Sequence, residues 1–377
     1  MIKDYMGIIS LNEEDDNIKS LTSNRPLAAV PIGGRYRLID FVLSNMVNAG
    51  ITNIGIFTQE NSRSLLDHLE SGKPWDLNRR INGLFLFNFN FTSYPKTNDI
   101  YLLKDNIDYL YRSKQNNVIF SSSNMICNLD YTKAIKFHES QNADITIIYK
   151  TVNNANSSFI NCNTLNLDSN SNVISVGKNV GIKPKCDIST DMFIMSKSTL
   201  INLLNECIST GYYNSIKDCV YSSTTSLNVK GYEFNGYLEC INSINSYYKV
   251  NMDMLNPKIN KELFFSTGAI YTKVTDAPPT KYEEGSKVSN CLIANGCIIE
   301  GLVKNSVISR RVRIHKGAQL DGCIILPNCE IKENAKLCGV IIDKNVVIEK
   351  SKELKGDAQF PVVIEKNPYP YSLLKHA

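Results

Sequence analysis

The amino-acid sequence predicts an α/β protein in which a wound sheet domain is followed by a parallel β-helix. The first observation is a loop, an amphipathic helix and a buried strand in direct succession between Pro31 and Thr58, which make one step of a wound sheet. The second is a series of short apolar runs, at residues 6–11, 117–121 and 144–150, that predict further strands. The third is a six-residue spacing of apolar residues from Leu302 onward, which matches neither a helix nor a strand.

The loop–helix–strand stretch begins with Gly33 and Gly34, a pair that favours a tight turn because residues with a Cβ resist such backbone conformations. A helix is predicted next, since apolar residues recur there at helical spacing, namely Ile39, Val42, Leu43, Met46 and Val47. Gly50 would cap this helix, and residues 51–58 form the predicted strand. Arg35 and Arg37 stand at the start of the helix, where positive charge and free backbone N–H groups could hold an anion.

The third pattern consists of Leu302, Ile308, Ile314, Leu320 and Leu326, followed after a one-residue slip at Pro327 by Ile331, Leu337, Ile342 and Ile348. A six-residue repeat of this length is typical of a hexapeptide β-helix, in which each hexad forms one side of a triangular coil. We therefore place the α/β domain at residues 1–255, a Pro-, Thr-, Lys- and Glu-rich linker at 256–287, the β-helix at 288–350 and a C-terminal tail at 351–377.

The composition argues against a protein that binds nucleic acid or a membrane. The 377-residue chain has 41 basic and 37 acidic residues, and its net charge of +4 is too balanced for either partner. No apolar run reaches the roughly 18 residues that span a bilayer. The eleven cysteines are scattered without a Cys-x-x-Cys pair, and the four histidines are far apart. This pattern favours a reducing, cytoplasmic location and indicates no metal site.

Residues 33–45 resemble a signature of the glucose-1-phosphate adenylyltransferases (ADP-glucose pyrophosphorylases). The sequence reads Gly-Gly-Arg-Tyr-Arg-Leu-Ile-Asp-Phe-Val-Leu-Ser-Asn, and the family has a lysine in place of the first arginine. Residues 121–131 and 236–255 are similar to two further family segments, and the likeness covers roughly residues 5 to 350. The resemblance implies a Rossmann-like nucleotidyltransferase sheet followed by a left-handed parallel β-helix of hexapeptide repeats.

The likeness fails at the positions that carry chemistry in this family. The two metal-binding aspartates of the family fall on Asn124 and Cys240, and a lysine associated with effector binding falls on Leu27. In place of the family's glycine-rich nucleotide loop, residues 10–21 contain no glycine and four consecutive carboxylates. Such a run would repel a polyphosphate, and we expect a solvated acidic loop. The resemblance therefore implies a degenerate active site that has no catalytic residue or cofactor of its own.

Together these features predict a regulatory, catalytically silent D-type subunit of glucose-1-phosphate adenylyltransferase. It would join a catalytic subunit in a heterotetramer and modulate the synthesis of ADP-glucose from ATP and glucose-1-phosphate in glycogen biosynthesis, with Mg²⁺ expected in the catalytic partner. The β-helix and the neighbouring linker would supply part of the subunit contact. A sugar phosphate or nucleotide effector would bind through Arg25, Gly33, Gly34, Arg35, Arg37 and Lys178, unless these are only helix-end and surface residues.

Two other functions stay open. The chain could be an active sugar-1-phosphate nucleotidyltransferase with an altered metal site, for which Asp108 is a candidate ligand. It could also be a hexapeptide acyltransferase that uses His315, the one histidine within the repeats, as a general base.

Overall fold

A computed structural model describes residues 2–58, 62–88 and 99–366 of the chain. The end of the predicted tail, residues 367–377, lies outside the described residues. The helices are α1 (Lys19–Thr22), α2 (Leu38–Asn48), α3 (Arg63–Leu69), α4 (Asp99–Asp105), α5 (Ile107–Arg112), α6 (Tyr131–Ser140), α7 (Lys197–Thr210), α8 (Ile216–Ser222), α9 (Ile244–Asp253) and α10 (Pro257–Phe265). The strands before the β-helix are β1 (Tyr5–Ser10), β2 (Pro31–Ile32), β3 (Tyr36–Arg37), β4 (Asn53–Thr58), β5 (Gly83–Asn88), β6 (Asn117–Ser121), β7 (Met125–Ile126), β8 (Ile145–Val152), β9 (Asn163–Leu167), β10 (Val173–Lys178), β11 (Cys186–Ser196), β12 (Val229–Glu233) and β13 (Glu239–Cys240).

A nine-stranded mixed sheet forms the centre of the α/β domain in the described part of the chain. Strands β5, β4, β1 and β6 lie side by side and parallel, and β11 runs antiparallel to β6. The predicted strands at 6–11, 51–58, 117–121 and 144–150 are confirmed as β1, β4, β6 and β8. Because β1 and β6 are adjacent and parallel, their carboxyl ends open on the same edge of the sheet, where α/β proteins place ligands.

The predicted amphipathic helix is confirmed as α2. The side chains of Ile39, Val42, Leu43 and Met46 are buried against the sheet. At its start, the backbone N–H of Arg37 donates to the Asp40 carboxylate at 2.9 Å, which satisfies one of the free donors of the first turn.

The β-helix consists of three five-stranded parallel sheets in the described residues, the arrangement of the predicted left-handed coil. Its strands are β14 (Lys281–Tyr282), β15 (Lys287–Ser289), β16 (Leu292–Ile293), β17 (Ile298–Ile299), β18 (Leu302–Lys304), β19 (Val307–Ile308), β20 (Arg313–Ile314), β21 (Gln319–Asp321), β22 (Ile324–Ile325), β23 (Glu330–Ile331), β24 (Lys336–Cys338), β25 (Val340–Ile342), β26 (Val347–Ile348), β27 (Glu353–Lys355) and β28 (Val362–Ile364). The coil therefore begins inside the predicted linker and continues into the predicted tail. The first two strands carry exposed side chains, so the sequence has no inward apolar repeat to mark them.

Two residues of the predicted repeat do not line the coil. Leu302 is only half-buried, and its neighbour Val303 packs in the interior instead. Leu326 packs toward the α/β domain, and its neighbour Ile325 packs in the interior. The interior residues Ile314, Leu320, Ile325 and Ile331 are separated by steps of six, five and six. The one-residue slip that the sequence analysis placed at Pro327 therefore reflects one side of the coil that is a residue shorter than the other two. The same short side recurs in the next coil, so most coils contain 17 residues.

The two domains pack together through one apolar cluster. Ile324, Leu326 and Ile341 of the β-helix join the cluster that contains Phe41 of α2 and Tyr247 of α9. The buried guanidinium of Arg25 reaches the buried carboxylate of Asp343 at 2.5 Å, and the hydroxyl of Tyr248 donates to the carbonyl of Gly322 at 2.7 Å. These contacts fix the position of the β-helix beside the loop that precedes α2.

Candidate functional site

The glycine pair lies where the loop between β2 and β3 meets the β-helix. Gly33 and Gly34 have φ angles of 57° and 79°, and the backbone N–H of Gly33 donates to the Asn251 side chain at 3.0 Å. A Cβ on Gly34 would lie 3.3 Å from the carbonyl oxygen of Ile308. The glycines thus allow the turn and the close approach of the second domain, and this turn positions Arg35 and Arg37 at the domain boundary.

A cavity of about 270 Å³ lies at this boundary. Its basic lining residues come from four separate places in the chain, and they are Arg35, Arg37, Lys273, Arg310 and Lys344. Lys273 is neutralised by Glu70 at 2.5 Å, but none of the other four is in an ion pair in the described residues. One carboxylate, that of Asp67, lines the same cavity. The cavity therefore has an excess of positive charge, and an oxyanion would complement it.

The basic side chains are held in place but not neutralised. Arg37 donates to the carbonyl and hydroxyl oxygens of Ser64 at 2.5 and 3.1 Å, and burial lowers its pKa to about 10. Arg310 donates to the Thr275 hydroxyl at 2.9 Å, while its buried Nε has no partner among the described residues. Burial, with the charges of Arg37 and Arg25, lowers the pKa of Lys344 to about 7. Such cations are short of counter-charge, and an anion would supply it.

The two remaining predicted residues lie elsewhere. Arg25 does not line the cavity, because its guanidinium is in the buried ion pair with Asp343. Lys178 is exposed at the end of β10, next to Asn163 of the neighbouring strand. Lys273, Arg310 and Lys344 were missed by the sequence prediction, since nothing in the local sequence connects them with a loop more than 200 residues away.

The two degenerate metal positions lie side by side. Strands β7 and β13 pair, and this brings the Asn124 amide to 3.5 Å from the Cys240 sulfur, to which it donates. The Asn124 oxygen accepts from the Ser122 hydroxyl at 2.9 Å. A hydrogen bond with Cys162, together with burial, raises the pKa of the Cys240 thiol, which is therefore neutral.

This pair does not fit a magnesium ion, because Mg²⁺ prefers charged oxygen ligands to an amide and a neutral sulfur. No group of three or more histidine, cysteine, aspartate or glutamate side chains in residues 2–58, 62–88 and 99–366 could hold a metal ion. We therefore derive no metal-dependent step at this site.

The acidic loop is not fully solvated, and in this respect the sequence prediction is wrong. One oxygen of the Glu13 carboxylate accepts from the backbone N–H of Ser123 at 2.6 Å and from its hydroxyl at 2.7 Å. Glu14 and Asp16 are exposed as predicted. The prediction failed for Glu13 because its partners lie more than 100 residues away, at the end of the neighbouring strand β6.

The residues of the two alternative functions lie apart from these sites. Asp108 is 75% exposed, pairs with Arg112 at 3.3 Å, and lines a different cavity, beside Tyr109 and β5. His315 lies on the β-helix, where its Nε2 is 2.7 Å from the Glu330 carboxylate. Neither residue contacts Asn124 or Cys240.

Within the described residues, no helix combines the length and the apolar character that a membrane span requires.

Two family models match the chain: a nucleotidyl transferase model at residues 17–159 and a GlmU-like C-terminal hexapeptide model at residues 278–359. The glycogen biosynthesis protein GlgD of Bacillus subtilis is 35% identical over 96% of this chain and 95% of its own length. GlgD of Geobacillus stearothermophilus is 36% identical over 83% of this chain and 82% of its own length. The glucose-1-phosphate adenylyltransferase of Mycoplasma mobile is 31% identical over 85% of this chain and 85% of its own length.

Proposed function

Because the chain belongs to the family that includes the glycogen biosynthesis protein GlgD and the glucose-1-phosphate adenylyltransferases, we propose that it is a regulatory, catalytically silent subunit of a glucose-1-phosphate adenylyltransferase. It assembles with a catalytic subunit in a heterotetramer in the cytoplasm, and that partner holds the Mg²⁺ and makes ADP-glucose from ATP and glucose-1-phosphate. Family membership supports the coarser statement, a role in glycogen biosynthesis.

The hydrogen bond between Asn124 and Cys240 is the observation that supports the proposed loss of catalytic activity. In a nucleotidyl transfer the growing negative charge on pyrophosphate needs a preorganised cation, and two neutral side chains that bind each other do not hold one. Loss of a single preorganised electrostatic group typically costs about 10²–10³ in rate. The loss of two such groups and of a glycine-rich phosphate loop leaves little of the activity.

The regulatory character is supported by the basic cavity between the domains. Arg37, at the start of α2, and Arg310, on the β-helix, both line this cavity, so a phosphorylated ligand in it would interact with positive charges from both domains. Binding would therefore stabilise one relative arrangement of the two domains. The ligand class that suits this cavity is a phosphorylated effector, a sugar phosphate or a nucleotide.

The test of silence is pyrophosphate release from ATP and glucose-1-phosphate with Mg²⁺, by this chain alone and mixed with the catalytic subunit of the same cell. We expect no turnover by the chain alone and a changed rate or effector response in the mixture, with both chains eluting together from a sizing column. Turnover by the chain alone would favour the alternative, an active sugar-1-phosphate nucleotidyltransferase. Separate elution would contradict the subunit role.

The test of the effector site is calorimetry with inorganic phosphate and with glucose-1-phosphate. Arg310→Ala should weaken binding about tenfold or more, because a charge-assisted hydrogen bond is worth roughly 1.5–3 kcal/mol. The matched control is Arg313→Ala, an exposed arginine that pairs with Glu300 at 3.5 Å and does not line the cavity. Equal affinity in the two variants would remove the cavity from the proposal.

A further inference from the structure

The carboxyl ends of β1 and β6 meet at one edge of the sheet, and the segments that follow them touch there. Ser10 ends β1 and Ser121 ends β6. Three residues beyond Ser10, the Glu13 carboxylate binds Ser123, which lies two residues beyond the end of β6. In open α/β sheets this edge is where ligands bind, so the contact lies where a ligand pocket is expected.

The contact has the geometry of a bound anion. The backbone N–H and the hydroxyl of Ser123 converge on a single carboxylate oxygen, at 2.6 and 2.7 Å. The next residue in the chain is Asn124, at one of the two degenerate metal positions. Glu13 therefore occupies two hydrogen-bond donors beside the place where the chemistry of this family is expected.

The charge of Lys217 acts on Glu13, and Lys217 is itself paired with a carboxylate. The Lys217 ammonium is 3.0 Å from the buried carboxylate of Asp191, and that charge raises the pKa of Lys217. Burial raises the pKa of Glu13, while the hydrogen bonds from Ser123 and the charge of Lys217 act in the opposite direction. At this edge Ser123 binds the Glu13 carboxylate and Asp191 binds the Lys217 ammonium, so both charged groups have partners within the chain.

We propose that the loop after β1 is a tethered occupant of the nucleotide pocket, in which Glu13 holds the donors of Ser123 that an incoming nucleotide would use. The pocket is therefore closed to nucleotides until the loop withdraws, and the apparent affinity is reduced by the fraction of molecules in which it is open. The inference rests on the family membership and does not depend on the regulatory role, because it concerns the sheet edge at the end of β1 and not the cavity between the domains.

The test compares Glu13→Ala with Glu14→Ala, a neighbouring exposed carboxylate whose removal changes the net charge by the same amount. The probe is ATP with Mg²⁺, measured by calorimetry on the full chain. Glu13→Ala should bind ATP at least about tenfold more tightly than the unchanged chain, and Glu14→Ala should change the affinity less than about threefold. Equal effects of the two variants, or no gain in Glu13→Ala, would overturn the proposal.

Three further measurements test the same proposal. The double variant Glu13→Ala/Ser123→Ala should lose part of the gain, since the nucleotide then finds the backbone N–H but not the hydroxyl. Glu13→Gln keeps an oxygen acceptor and should give an intermediate affinity even if Glu13→Ala folds poorly. In the unchanged chain, saturating ATP should speed hydrogen exchange of residues 12–16, and unchanged or slower exchange there would contradict withdrawal of the loop.

Discussion

Arg25→Ala should lower the free energy of unfolding by about 3–5 kcal/mol. The guanidinium is 6% exposed, the partner carboxylate of Asp343 is 5% exposed, and their atoms are 2.5 Å apart. Truncation leaves a buried carboxylate without its cation, and this loss is what costs several kcal/mol in buried pairs. It also removes the 2.7 Å hydrogen bond that Arg25 donates to the carbonyl of Leu21. Because Asp343 keeps one donor, the backbone N–H of Lys344 at 2.7 Å, we expect the lower end of the range.

The assay is urea unfolding followed by circular dichroism and by the fluorescence of the single tryptophan, Trp75. The control is Arg79→Ala, whose partner Asp76 is 83% exposed, and this change should cost about 0–1 kcal/mol. The double variant Arg25→Met/Asp343→Leu should recover most of the loss, since no buried charge then remains unpaired. The reasoning is refuted if Arg25→Ala costs no more than Arg79→Ala, or if the double variant is less stable than the single one.

Three further predictions concern the same boundary between the domains. Gly34→Ala should destabilise the chain by about 1–2 kcal/mol because the residue has a positive φ, and by a further amount because the new Cβ would lie close to Ile308. The control is Gly285→Ala, since Gly285 has a similar φ of 83° but open space where the Cβ would lie. Thermal unfolding measures both variants, and equal losses would exclude an effect of the close contact. Tyr248→Phe should cost about 0.5–1.5 kcal/mol for its lost hydrogen bond, whereas Tyr212→Phe, at an 83% exposed site, should cost nothing measurable in urea. Sulfate, an oxyanion whose charge does not change between pH 6 and 8.5, should bind less tightly as the pH rises through this range, because burial lowers the pKa of Lys344 to about 7 and the amine loses its charge. Calorimetry should show a flatter profile for Lys344→Met, and an unchanged profile would contradict the assignment.

The predictions succeeded where the decisive contacts are close in sequence. The helix that contains Ile39, Val42 and Met46 was predicted from the spacing of apolar residues along one segment. The strands of the sheet were predicted from short apolar runs. The predicted six-residue period of the coil holds for two of the three sides, and the third side is one residue shorter. The prediction misplaced Leu302 and Leu326, because the sequence does not mark which of two adjacent apolar residues turns inward.

The candidate sites show the limit of local reasoning. Arg35 and Arg37 were predicted from their position beside two glycines, and both line the cavity between the domains. Arg25 was assigned to the same site, but the fold pairs it with Asp343, 318 residues later. Glu13 was assigned to solvent, although the fold turns it toward Ser123.

By itself, the sequence determined the two fold types, their order and the loss of the carboxylates at Asn124 and Cys240, because these depend on residue identity and on periods of a few residues. The tertiary structure alone decided which charges are paired and which are not. Arg310 and Lys344 line the cavity with Arg37 because the β-helix packs on the loop before α2. Coulomb energy depends on distance and on burial, and both are set only when segments hundreds of residues apart come together.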